Sequence, residues 1–114
     1  MILATIILFS LTALIGLYLV VLGVRYRRKS LTIGLTHASA GLIAFGLLIT
    51  QIIDSTINKY YNVAALLIVL ALVGGLMLFA LREANKPPPM ILVAIHAVMA
   101  LAGLLVLYLG FFST

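Results

Sequence analysis

The chain has 114 residues, 66% of them hydrophobic and 8% charged, with a formal net charge of +5. A soluble domain of this length leaves too much of its surface in water to hide that much apolar area, which excludes an ordinary globular fold and makes the lipid bilayer the natural solvent. No cysteine is present, so disulfides and thiolate metal sites are excluded; the basic residues flank apolar runs, so the charge reads as membrane topology and not as nucleic-acid binding.

In chain order, the first apolar run covers residues 2–24 and ends at RYRRKS (25–30). Its start, MILATIIL, has no positive n-region and no small-residue cleavage site after it, which argues against a removed signal peptide. The second run, 31–53, ends at DSTINKYYN; the third, 63–81, ends at REANKPPP; the fourth is 90–112. Each is close to the roughly 20 residues that cross a hydrocarbon core. Pro87, Pro88 and Pro89 stop helical structure, so the fourth helix starts after them. The expected fold is all-α: one integral membrane domain, residues 1–114, forming an antiparallel four-helix bundle.

Arg25, Arg27, Arg28 and Lys29 in the first loop, with Arg82 and Lys86 in the third, outweigh Lys59 in the second. The positive-inside bias then puts loops one and three in the cytoplasm and both termini outside, as in a bacterial inner membrane. Tyr60, Tyr61, Tyr108, Phe111 and Phe112 suit an aromatic belt on the outer side.

A shift of 59 residues aligns the two halves. GLYLVVL (16–22) falls on GLMLFAL (75–81), and HASAGL (37–42) on HAVMAL (96–101), so Gly16 meets Gly75 and His37 meets His96. Two repeated helical hairpins of equal orientation imply a pseudo-two-fold axis along the membrane normal. His37 lies seven residues after Ser30, and His96 seven after Pro89, which puts both about 10 Å below the inner interface. Diagonal placement of helices 2 and 4 would let the imidazoles face each other through the bundle centre.

Small residues share that level: Gly34 and Gly41 around His37, Ala100 and Gly103 around His96, and Gly16, Gly74 and Gly75 on the opposing helices. They allow either close helix contact or a slot for something flat and bulky. In the first case each histidine is structural and bonds a hydroxyl such as Thr36 or Ser39. In the second, the slot holds a b-type haem with His37 and His96 as axial metal ligands, the glycines as its walls, and Arg25 and Arg28 among the partners of its propionates. Thr36, Ser39 or a backbone carbonyl would then bond the outer imidazole nitrogens. Two histidines without carboxylate or thiolate fall short of a zinc or copper site.

Histidines on two helices of a four-span bundle, in His-Ala-x-x-Gly/Ala-Leu twice, resemble the membrane cytochromes b, a group that includes the cytochrome b561 type and the haem anchors of quinone-linked dehydrogenases. The resemblance implies electron transfer through haem b, one per protomer or shared at a homodimer interface, with a quinone or another redox partner. Two histidines set a limit of one bis-histidine haem per chain, and an electron carrier or redox subunit fits better than a stand-alone enzyme.

Two further classes compete. The size and four spans look like small multidrug-resistance transporters, but the first helix lacks their membrane-embedded glutamate, so a histidine would have to carry the proton. A non-catalytic membrane scaffold is the other. Gln51, Asn62 and Asp54 could line a quinone-sized pocket near the outer surface or simply end a helix at the interface.

Overall fold

A computed structural model of the protein describes residues 2–26, 30–54 and 59–113. These form four helices, α1 (Ile2–Val24), α2 (Leu31–Asp54), α3 (Lys59–Glu83) and α4 (Met90–Phe112), with no strand among the described residues. All four are long and apolar enough to cross a membrane, as expected of an integral membrane protein. At 1.5 Å per residue each spans roughly 35 Å against a hydrocarbon thickness of about 30 Å. A helix is also the form that satisfies backbone polar groups within one segment, as lipid requires.

The chain divides into two compact units, Met1–Ser55 and Thr56–Thr114, each a hairpin: α1 packs on α2, and α3 on α4. In the first, the buried positions are Thr5, Ile6, Phe9 and Thr12 on α1 and Gly41, Ala44 and Leu48 on α2. In the second, they are Tyr61, Ala64, Ala65, Ile68, Ala71 and Gly74 on α3 and Gly103, Leu107 and Gly110 on α4. Apart from the adjacent pairs Thr5/Ile6 and Ala64/Ala65, both sets step by three or four residues, one face of a helix. Small side chains dominate them because, in lipid, helices associate by close packing and not by escape from water. Large apolar side chains such as Leu42, Leu66, Leu76 and Leu101 stay exposed, as a lipid-facing surface allows.

The 59-residue register extends to the packing. Thr5, Ile6, Phe9 and Thr12 correspond one by one to Ala64, Ala65, Ile68 and Ala71, all buried, and Leu48 to Leu107, both fully buried. At these positions the two hairpins share one packing solution.

Helix ends follow local chemistry. Ser30 caps α2, its Oγ accepting the N–H of Ile33 at 3.2 Å. Pro89 precedes α4, as the proline run predicts, and its carbonyl accepts the N–H groups of Leu92 and Val93. α3 begins at Lys59, earlier than the expected residue 63, and ends at Glu83. The polar KYYN stretch joins it because Tyr60 and Tyr61 close over Gly110: a Cβ there would lie 2.7 Å from Tyr60 Cβ and 2.9 Å from Tyr61 Cε1. After α3, Lys86 N–H donates to Leu81 O at 2.9 Å and Asn85 N–H to Arg82 O at 3.0 Å, with Asn85 at φ 59°. This is a Schellman close with asparagine in the left-handed position. Asn85→Val should lower stability by roughly 1–2 kcal/mol, whereas Asn85→Gly should leave it equal or higher, as read by denaturation in detergent.

Candidate functional site

α2 presents His37 to α1 inside the first hairpin. Its Nδ1 lies 2.9 Å from the carbonyl oxygen of Thr12. A carbonyl only accepts, so the ring donates, and Nδ1 carries the proton. In the neutral imidazole the lone pair is then on Nε2. The helix ladder puts the N–H of Gly16 on the same carbonyl, which has a second lone pair for the ring. The ring lies against Gly16 itself: a Cβ there would be 2.7 Å from His37 Cε1 and 3.3 Å from Nδ1.

The second hairpin repeats the device. His96 Nδ1 donates to Ala71 O at 2.7 Å, and a Cβ on Gly75 would be 3.0 Å from His96 Cε1. Gly74 adds room beside it, where a Cβ would be 3.4 Å from His96 Cβ. Carbonyl, glycine and imidazole at 12, 16 and 37 thus become 71, 75 and 96, each displaced by 59. Both rings are half-buried.

The other expected site residues separate into groups. A Cβ on Gly41 would meet Thr12 Cγ2 at 3.5 Å, and one on Gly103 would meet Ile68 Cδ1 at 2.8 Å and Ala64 O at 3.4 Å. Within their own hairpins these two glycines serve close helix approach. Gly16 and Gly75 do make room for a flat ring, and that ring is the histidine's own. Gly34 is half-buried in the first turn of α2, its N–H on Ser30 O, and Ala100 is half-buried on α4. Arg25 is exposed just past α1, its guanidinium 6.0 Å from the Tyr26 ring centroid; Arg28 lies outside the described residues.

Of the hydrogen-bond partners expected for the imidazoles, a backbone carbonyl is present for each ring. Thr36 Oγ1 donates instead to Thr32 O at 2.8 Å, and Ser39 is exposed. Thr12 and Ala71 were invisible as partners in the sequence because a main-chain carbonyl leaves no side-chain signature. The glycine four residues beyond each of them was the readable trace.

Towards the other end of the first hairpin, Gln51 Nε2 donates to Thr5 Oγ1 at 2.6 Å and to Leu47 O at 2.8 Å. Gln51 therefore ties α2 to α1, while Asn62 and Asp54 are exposed. Among the described residues no buried side-chain nitrogen or oxygen lacks a hydrogen bond, and no three His, Cys, Asp or Glu residues gather into a metal-binding group.

In a protein carrying ¹⁵N-labelled histidine, Thr36→Val should leave the His37 ring resonances in place, because that hydroxyl bonds its own helix. A large shift would make Thr36 the partner. Compared with family models, curated proteins and solved structures, the chain matches none.

Proposed function

We propose that the protein is a membrane b-type haem protein that carries electrons, in which His37 and His96 would hold the haem through Nε2. One observation carries this reading. Each imidazole donates Nδ1–H to a main-chain carbonyl of the neighbouring helix, at 2.9 Å and 2.7 Å. Ligating histidines characteristically hold their outer N–H in this way, which fixes the tautomer and raises the basicity of the ligating nitrogen.

The donor set agrees with haem better than with a bare ion. A porphyrin brings its own donor nitrogens, so imidazole is the kind of donor the chain would have to add, whereas a zinc ion would need further protein ligands that the described residues do not assemble. Neutral imidazoles also avoid placing a charge in the membrane. When bound, the haem would supply a one-electron iron centre. The chain's own contribution is to aim the two rings, keep water from them within apolar helices, and offer Arg25 and Arg28 to the propionates. A quinone or a redox protein is the partner class that such a carrier serves, and pairing of two chains around the haem belongs to the same reading.

Proton-coupled transport draws less support. The chain's only carboxylates, Asp54 and Glu83, are exposed at helix ends and supply no acid within a span.

Purified in detergent with added haem, the protein should give a low-spin, six-coordinate visible spectrum with reversible one-electron reduction. His37→Ala and His96→Ala should each abolish the low-spin form. Absence of a Soret band, or a low-spin spectrum untouched by both substitutions, would reject the proposal.

A further inference from the structure

We infer that Gly16 and Gly75 are positioning residues that select the Nδ1–H tautomer of His37 and His96. The inference stands on the hairpin geometry; only its haem-affinity measurement rests on the function proposed above. Neutral histidine in water favours the proton on Nε2, the atom that would have to bind iron. Each hairpin reverses that preference by bringing Nδ1 to a carbonyl, Thr12 O or Ala71 O. The ring reaches the carbonyl across the residue one turn further on, which is glycine in both cases.

The reason is directional. A helical Cβ tilts toward the N-terminus, so a side chain at 16 or 75 would lean over the turn that holds residue 12 or 71, where the ring sits. An alanine methyl at 16 would start 2.7 Å from His37 Cε1, against about 3.4 Å for ordinary contact, so the ring must retreat by about 0.7 Å. Retreat along the bond would stretch the 2.9 Å contact to about 3.6 Å, too long for a hydrogen bond. At Gly75 the methyl would start at 3.0 Å, so the ring need retreat by only about 0.4 Å, which along the bond would leave the 2.7 Å contact at about 3.1 Å, still a hydrogen bond. The two glycines therefore differ in tolerance: alanine breaks the first clamp and only loosens the second, where valine is needed. By contrast, a Cβ at Gly23 or Gly46 meets nothing within 4 Å.

The test is long-range ¹H–¹⁵N correlation on the full chain, labelled with ¹⁵N-histidine, in lipid bicelles without haem. Wild-type protein should show Nδ1 protonated on both rings, with a proton–proton contact from each glycine Hα to the Hε1 of its histidine. Gly16→Ala should move the proton to Nε2 on His37 alone. Gly75→Ala should keep the Nδ1–H form of His96, and Gly75→Val should lose it. Gly23→Ala and Gly46→Ala should change neither ring. An Nε2–H ring in the wild type, a missing glycine–histidine contact, or Nδ1–H retained on His37 in a folded Gly16→Ala protein would overturn the inference. The wild-type contacts decide the matter even if Gly16→Ala does not fold. In a parallel haem titration, Gly16→Ala should weaken affinity by about 10–100-fold, the usual effect of losing an outer-shell partner. Tautomers as expected with no haem bound by any variant would uphold the glycine role and reject the haem function alone.

Discussion

Each hairpin is organised around one hydrogen bond, from an imidazole Nδ1–H to a helix carbonyl across a glycine. In lipid, an ionisable side chain must either find a partner or remain a standing cost, and no water is at hand to supply one. A carbonyl already engaged in its helix can still accept a second donor. Using that spare lone pair satisfies the ring without adding another polar side chain to the membrane. It also decides which ring nitrogen keeps its lone pair, so one interaction serves both the packing and the chemistry.

The rest of each hairpin accommodates this contact. The helices must lie close for a ring on one to touch the backbone of the other, and the buried faces are rich in Gly, Ala and Thr, which allow it. Two of the α1 hydroxyls bond their own helix: Ser10 donates to Ile6 O and Thr12 to Leu8 O, one turn back. Gln51, bonded to Thr5, adds a polar link between α1 and α2.

The two halves have diverged in an informative way. Under the 59-residue shift, Thr5, Ser10, Thr12, Thr36, Ser39 and Gln51 of the first hairpin fall on Ala64, Val69, Ala71, Ile95, Val98 and Gly110 of the second. Hydroxyls and amide are replaced by apolar residues, while the two histidines and their facing glycines coincide. A merely structural polar contact can be exchanged for an apolar residue, as Thr5 and Ala64 illustrate, both fully buried. The histidine clamp stands in both hairpins with its carbonyl and its glycine. That contrast supports the reading of the imidazoles as a matched pair of ligands.

What the sequence determined by itself is the part governed by local rules. Apolar run length set the four spans, the three prolines set the start of α4, and the recurrence of His and Gly at a fixed shift announced the repeat. Those signals depend on the bilayer's thickness and on backbone sterics, which act on a few neighbouring residues at a time. Only the tertiary structure decided that KYYN is helical, because Tyr60 and Tyr61 must close over Gly110 from another helix. Only it separated Gly41 and Gly103, which seat neighbouring helices, from Gly16 and Gly75, which seat the imidazoles. And only it found the partners of the histidines, since the acceptors are main-chain carbonyls that every residue owns, and helix packing alone selects Thr12 and Ala71 among them.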